Sequence, residues 1–365
     1  MAVLFCTTLL SGIVPHARIT GLILSLIALL AIRPVGRAAF IWFAPLPLAI
    51  AQLPLSEAPR ASAAFVGDFA TAGSAFALAH THSSLSSRAW RVMAPFVALA
   101  LLQAGMGLMQ VSQTERLPSG SVGNHSQFAA LLAMALPFSV AQGGRGVGSA
   151  TPGQRIASIG WVGVSLLLFF AILASRSRMG LVSALLGLAL LLLLVRAGRV
   201  YMTKRRWVAL GLCSILLIAV GALASHRLLA ARFASTLQDL PVEAWVETAE
   251  KASERPLLGI GLGAHRTQLG RHAENDYLEF LVETGVPGLL LFLVSLATLG
   301  VILWRRLRHG TDRRRRLLAA AALTSFCLVL VHSLIESNLH YPYLMFATAW
   351  ITGAGAGLPK QESAY

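Results

Sequence analysis

The sequence is poor in charge and in cysteine. Charged residues make up 12% of its 365 residues, apolar residues make up 56%, and the mean hydropathy is +0.70. A soluble domain carries about 25% charged residues, so this composition excludes the water-soluble classes of protein. The three cysteines, Cys6, Cys213 and Cys327, all lie inside apolar segments. That placement predicts neither a disulfide nor a metal site.

Acidic residues are also scarce, with 15 against 30 basic ones, which gives a formal net charge of +15. Such an excess is typical of nucleic-acid-binding proteins. Here, however, the Lys and Arg residues stand in short clusters between apolar blocks, a pattern that indicates membrane topology. We therefore expect the lipid bilayer as a partner and no nucleic acid.

Apolar blocks long enough to cross a bilayer recur along the chain. They predict an all-α, polytopic membrane helix bundle of about 10–12 transmembrane helices. We predict a single membrane domain over residues 1–365 with one large periplasmic loop at 225–275. Helical periodicity in the stretch PVEAWVETAEKA predicts short helices in that loop. The predicted spans are 2–14, 19–32, 39–52, 62–80, 93–110, 126–142, 158–174, 179–196, 207–224, 276–303, 317–336 and 341–357.

The basic residues also predict the orientation of the chain. With the N-terminus inside, the cytoplasmic loops and the C-terminal tail carry 19 of the 30 basic residues. Short loops rich in Lys and Arg stay in the cytoplasm. We therefore expect a multi-pass protein of the bacterial cytoplasmic membrane with both termini in the cytoplasm and the 225–275 loop in the periplasm.

Polar residues that border the spans are concentrated on the predicted outer side. Because polar groups in or beside a bilayer are costly, each is a functional candidate. Asp68, near the middle of its span, is the main exception to this placement. The polar segments are GNHSQF (123–128), SRSRMG (175–180), RPLLGIGLGAHR (255–266), RHAENDYLEFLVETGVPG (271–288) and HSLIESNLHYP (332–342). Their common side predicts an active site at the periplasmic face.

The strongest of these clusters follows residue 271. Asn275, Glu279 and Glu283 are spaced i, i+4 and i+8, so they share one face at the outer end of an apolar helix. Three polar groups are unfavourable on a lipid-facing surface. We expect them to face protein, water or substrate.

Other polar residues have structural interpretations beside the functional ones. Asn124 and His125 also fit a helix cap, and Arg178 also fits a side chain that extends to the membrane interface. His332 and Glu336, one helical turn apart, also fit a satisfied pair inside the bundle. The glycines of GIGLG are not preceded by the strand that a phosphate-binding loop requires.

Taken in order, these motifs resemble the O-antigen ligase and O-antigen polymerase superfamily, which are bacterial membrane glycosyltransferases. The resemblance covers about residues 118–352. It includes the Asn-containing segment before a span, the Ser-Arg-Gly helix start, and Trp245 followed by RPLLGIGLG. It continues with ENDYLEFLVETGVPGLLLF and the closing HSLIESNLHYP. The family usually has His directly before the Asn of its Asn-x-Tyr-Leu motif, and here that position is Glu274.

The resemblance implies transfer of a glycan from undecaprenyl diphosphate to a hydroxyl of a lipid or glycan acceptor, with no cofactor. It implies His272 or Glu274 as the base and Asn275 as an orienting residue. The external loops contain no Asp-x-Asp pair, so we expect no metal requirement. The implied substrate-binding residues are Asn124, His125, Arg178, Arg255, Arg266, Arg271, Glu279, His332 and Glu336.

A competing class is a membrane transporter or a flippase for a lipid-linked or anionic substrate. Such proteins place polar residues and broken helices near the bilayer midplane. The concentration of polar residues at one face of this protein favours the transferase.

Overall fold

A computed structural model describes residues 39–85, 89–113, 117–146, 151–198, 200, 241–310 and 312–358. The regular elements within these ranges are helices. The α-helices are α1 (Ala39–Phe43), α2 (Leu46–Gln52), α3 (Pro59–Leu85), α4 (Ala94–Gln113), α5 (His125–Gly146), α6 (Pro152–Ala174), α7 (Arg178–Ala197), α8 (Val242–Glu254), α9 (His265–Leu269), α10 (Asp276–His309), α11 (Arg313–His332) and α12 (Pro342–Ala356).

Seven of the described helices are long and apolar enough to cross a membrane, namely α3 to α7, α10 and α11. The predicted all-α, polytopic membrane helix bundle is thereby confirmed. The predicted spans 2–14, 19–32 and 207–224 lie outside the described residues, as does the loop segment 225–240. The total of about 10–12 transmembrane helices therefore stays a prediction.

Two predicted spans differ from the helices that form. The segment 39–52 is divided into α1 and α2, because the turn at Ala44 and Pro45 interrupts it and proline has no N–H for the helix. The span predicted to end at 336 ends at His332, where the chain turns. In the loop, the predicted helix is confirmed as α8.

The chain divides into two compact units. The first unit contains the described residues within 39–86, 239–302 and 330–357. In it, α12 packs along α3, and a Cβ atom on Gly353 would collide with the backbone of Phe76. Small residues let membrane helices approach this closely.

The long helix α10 is broken near its start. Gly285 has a φ of 68° and a ψ of −177°, and Pro287 follows it. The glycine-rich segment lies against this break, with three backbone hydrogen bonds: Ile260 N–H to Val282 O (2.9 Å), Gly261 N–H to Glu283 O (2.9 Å) and Val286 N–H to Pro256 O (2.8 Å). A Cβ atom on Gly259 would overlap the backbone of Glu283. Gly259 is therefore required for close backbone packing at the break.

The second unit contains the described residues within 87–238 and 303–329, together with Leu358. Its central helix is α5, which packs against α4, α6 and α7 and is buried along most of its length. Hydrogen bonds inside the unit include Ser165 Oγ–H to Ser139 Oγ at 3.0 Å and Ser325 Oγ–H to the Met134 carbonyl at 2.7 Å. Hydroxyl groups inside this apolar bundle are thus satisfied.

Candidate active site

Three carboxylates lie on one face at the start of α10. Asp276, Glu279 and Glu283 are buried, with at most 1% of each residue exposed. Their spacing of three and seven residues places them on the same side of the helix. The sequence indicated Glu279 and Glu283 as part of a polar face, but the third member is Asp276 rather than Asn275.

Asn275 acts at the end of the helix. Its Oδ1 accepts hydrogen bonds from the backbone N–H groups of Tyr277 (3.0 Å) and Leu278 (3.1 Å), the arrangement of an N-cap. Its Nδ2 donates to the Leu334 carbonyl at 3.0 Å. Asn275 therefore fixes the start of α10 against the turn that follows α11.

The side chain of His340 lies among these carboxylates. Its Nδ1 is 2.7 Å from Asp276 Oδ1 and 3.4 Å from Glu279 Oε2, and its Nε2 is 3.1 Å from Glu283 Oε2. Asp276 also accepts the backbone N–H groups of Leu339 (2.8 Å) and His340 (3.2 Å). The segment between α11 and α12 is thus held on the carboxylate face of α10.

The surroundings of His340 favour its charged form. Burial by itself disfavours the imidazolium, but the charges of Glu279 and Glu283 and the hydrogen bonds to Asp276 and Glu283 outweigh burial. Together they raise the pKa of His340 well above its ordinary value. The hydrogen-bond partners of His340 also favour the charged form. Both ring nitrogens face carboxylate oxygens, and only the imidazolium has two N–H donors.

Glu279 joins this group to His272. Oε1 of Glu279 accepts hydrogen bonds from Ala273 N–H (2.7 Å) and Ser337 Oγ–H (2.5 Å). Both carboxylate oxygens of Glu279 lie 3.1 Å from His272 Nδ1. An ionised carboxylate is an acceptor, so Nδ1 of His272 carries the proton in this pair.

The other nitrogen of His272 has a different environment. Its Nε2 is buried and has no hydrogen-bond partner among the described residues. Since Nδ1 carries the proton, Nε2 presents a lone pair. The ring is held on its other side by Tyr341, with 5.0 Å between ring centroids. His272 therefore has the geometry of an oriented base with an unused acceptor nitrogen.

Glu274, the alternative base, is held differently. Its φ of 54° lies in the left-handed region, which is uncommon for a residue other than glycine. Burial raises the pKa of Glu274 above its ordinary value, and a side-chain hydrogen bond with Glu336 and the charge of His272 offset burial only in part. The Glu274 carboxyl group is thus already engaged with a second carboxyl group.

His265 at the start of α9 extends the buried polar group. Its backbone N–H donates to Glu283 Oε1 at 3.1 Å, and its Nε2 lies 3.0 Å from Thr248 Oγ1 of α8. Burial lowers the pKa of His265. Sequence reasoning missed His265, Asp276, Ser337 and His340 as site residues, although each stands in or beside a polar segment that borders a span.

The predicted arginines of the loop lie at the surface. Arg255 forms an ion pair with Glu57 (3.2 Å), and Arg271 forms one with Glu247 (2.5 Å). Both side chains are about half exposed, and Arg266 is exposed as well. Among the described residues, no hydrogen bond or ion pair joins any of these three arginines to the buried carboxylates.

Asn124, His125 and Arg178 belong to the second unit. Asn124 Oδ1 accepts from Ser126 N–H at 2.8 Å and so caps α5. Ser177 caps α7, because its Oγ accepts from Gly180 N–H at 3.0 Å. Ser126 Oγ and Ser177 Oγ are 3.2 Å apart, so the first residues of α5 and α7, His125 and Arg178, begin at the same end of this unit.

His332 and Glu336 are not neighbours on a helix. Because α11 ends at His332, the residues that follow form turns rather than the helical turn that the sequence predicted. His332 is buried at this end. Glu336 shares the hydrogen bond with Glu274, so it lies beside the loop that carries His272.

An apolar recess lies within the first unit. Phe280 and Leu339 connect it to the polar group, since Phe280 packs on His340 with 4.7 Å between ring centroids. The lining residues are Ile41, Trp42, Pro45, Phe69, Phe280, Phe292, Ser295, Leu296, Leu299, Leu339 and Met345. The recess extends along the apolar part of α10.

Part of the chain is similar to a known family of proteins. Residues 163–293 match the family model described as O-Antigen ligase. Over this segment the chain is similar to the O-antigen ligase family. No curated protein matches the sequence significantly. The match supports the O-antigen ligase and polymerase superfamily, and with it a membrane glycosyltransferase.

The matched segment includes the predicted site residues from Arg178 to Glu279, whereas His340 lies beyond it. Together, this family match and the apolar helices support a multi-pass protein of the inner membrane. The family implies a lipid-linked glycan donor and an acceptor.

Proposed function

We propose that this membrane glycosyltransferase moves a glycan from undecaprenyl diphosphate to an acceptor hydroxyl at the periplasmic face. In this reaction the acceptor oxygen bonds to the anomeric carbon. The bond between that carbon and the diphosphate oxygen breaks, and undecaprenyl diphosphate leaves. The acceptor is a lipid in a ligase and a glycan in a polymerase.

The observation that carries this proposal is the pairing of His272 with Glu279. The ionised Glu279 holds Nδ1–H, so Nε2 is available to take the proton of the acceptor hydroxyl. The two remaining groups proposed as catalytic are Glu274 and Asn275. Asn275 positions the loop through its cap, and Glu274 is the second candidate for the base.

The leaving diphosphate requires cations, and arginine binds phosphate oxygens through two N–H groups at once. We assign this role first to Arg178 at the N-terminus of α7, where the helix dipole adds positive potential. Arg255, Arg266 and Arg271 are further candidates. The Arg255 and Arg271 side chains are about half exposed, so they are accessible to phosphate oxygens.

The apolar recess beside Phe280 fits the part of the polyprenyl chain nearest the diphosphate. Its lining is almost entirely hydrocarbon, as binding of an apolar chain requires. Asn124 and His125 at the start of α5 and His332 and Glu336 near the turn after α11 are proposed to contact sugar hydroxyl groups.

Purified protein in liposomes with an undecaprenyl-diphosphate-linked glycan tests the reaction. We expect release of undecaprenyl diphosphate together with glycan attached to an added acceptor, and we expect EDTA to leave the rate unchanged. Movement of intact lipid-linked glycan across the bilayer without cleavage would show a flippase instead. A rate abolished by EDTA and restored by a divalent cation would contradict metal independence.

Cysteine labelling tests the periplasmic position of the site. In a variant without the three native cysteines, Ser253→Cys in α8 and Gly153→Cys in α6 are both exposed positions. We expect a membrane-impermeant thiol reagent to label Ser253→Cys in intact spheroplasts and to label Gly153→Cys only after lysis. The reverse pattern would place the carboxylate group in the cytoplasm and overturn the proposed orientation.

A further inference from the structure

Glu279 contacts two histidines, and the proposed function requires that only one of them be charged. A carboxylate beside an imidazole favours the imidazolium, which cannot accept a proton. A second positive charge beside Glu279 weakens this effect on the base. The geometry shows a second histidine, His340, within 3.4 Å of the same carboxylate.

We propose that His340 is a positioning residue that holds a positive charge beside Glu279, so that Glu279 orients His272 without keeping it protonated. This inference rests on the proposed role of His272 as the base. His340 acts through Glu279 and does not touch the substrate.

The arrangement around His340 fits a fixed cation. Carboxylate oxygens face both of its ring nitrogens, at 2.7 Å and 3.1 Å, and its side chain is only 3% exposed. Two aromatic rings, Phe65 of α3 and Phe280 of α10, pack against it at 5.2 Å and 4.7 Å between centroids. The titratable groups of the first unit that interact with His272 or His340 include His265, Glu274, Asp276, Glu279, Glu283 and Tyr341.

Removal of the positive charge on His340 should change the protonation of His272 through the carboxylate that both histidines contact. His272 and His340 are not hydrogen-bonded to each other, and both contact Glu279. With His340 neutral, the three carboxylates would have lost a shared positive partner in a buried site where electrostatic interactions are strong. His272 already contacts Glu279 and can supply a replacement charge. It then binds a proton and ceases to act as a base.

The pH dependence of transfer by His340→Gln tests this role. Glutamine keeps a hydrogen-bonding side chain but has no charge. The base must be unprotonated to act. We therefore expect the acidic limb of the pH profile of kcat to move to higher pH by about one to two units. The loss should be about tenfold or more near pH 6.5 and small near pH 9, with little change in KM. Adding Glu283→Gln removes one negative charge and should move the limb part of the way back.

His80→Gln is the matched control, since His80 is a buried histidine of α3 in the same unit that stacks on Phe76. Its pH profile should equal that of the parent protein. A loss in His340→Gln that is the same at every pH, or a limb that does not move back with Glu283→Gln, would overturn the proposal.

If His340→Gln does not fold, Glu283→Gln alone provides the test, and its acidic limb should move to lower pH. An unchanged limb would contradict the role of His340. A wrong assignment of the base would be recognised by a separate result. In that case the His272→Ala protein would remain active.

Discussion

Replacing His272 by alanine is expected to slow glycan transfer by about a hundredfold or more, the usual cost of losing a general base. The reason is the geometry of the pair, in which Glu279 holds Nδ1–H and leaves Nε2 without a partner among the described residues. Glu274→Gln is expected to cost less than about tenfold, because the Glu274 carboxyl group is engaged with Glu336.

The comparison requires membranes with equal protein levels and an assay that counts transferred glycan. Thr267→Ala is a suitable control, since it changes an exposed residue of the same loop. A hundredfold loss in Glu274→Gln with an active His272→Ala protein would make Glu274 the base. Tenfold or smaller losses in both variants would place the base at another residue.

Replacing Arg178 is expected to have the second largest effect. Arg178→Ala should lower the rate of transfer by about a hundredfold or more, because it removes a fixed donor to the charge that develops on the diphosphate. Arg178→Lys retains the charge but loses the paired N–H groups, so we expect an intermediate loss. The Ser177 cap keeps the backbone of this position fixed in both variants.

Arg176→Ala is the control for Arg178. Arg176 has the same side chain in the same turn but is exposed, and we expect nearly unchanged transfer. A direct measurement is the affinity of each variant for undecaprenyl diphosphate, which should fall for Arg178→Ala. Near-normal transfer by Arg178→Ala in cells would remove Arg178 from the site.

Much of the fold could be predicted because membrane helices are encoded locally. Spans such as α6 and α7 follow from continuous apolar runs, since lipid-facing and buried surfaces are both apolar. The division between α1 and α2 was harder to predict. Pro45 is visible in the sequence, but membrane helices often tolerate proline. The break at Gly285 was hidden for the same reason, inside a helix otherwise long enough to span.

The candidate site was predictable in part. Glu279 and His272 were indicated by their position beside a span, and the structure brings them together. Asn275 was placed on the same stripe, but the helix begins directly after it and turns its side chain to the cap. Asp276 was hidden because the periodicity was counted from Asn275. The glycines of GIGLG showed no function in the sequence, since their role depends on a backbone 20 or more residues away.

By itself the sequence determined that this protein is a polytopic membrane protein with polar motifs typical of O-antigen ligases, because hydropathy and motif order are properties of short segments. Only the tertiary structure decided which polar groups meet. His340 reaches Asp276 and Glu283 across 64 and 57 residues of chain. The same packing assigns the proton of His272 to Nδ1. Contacts of this kind depend on how separate helices pack, and no local pattern records that packing.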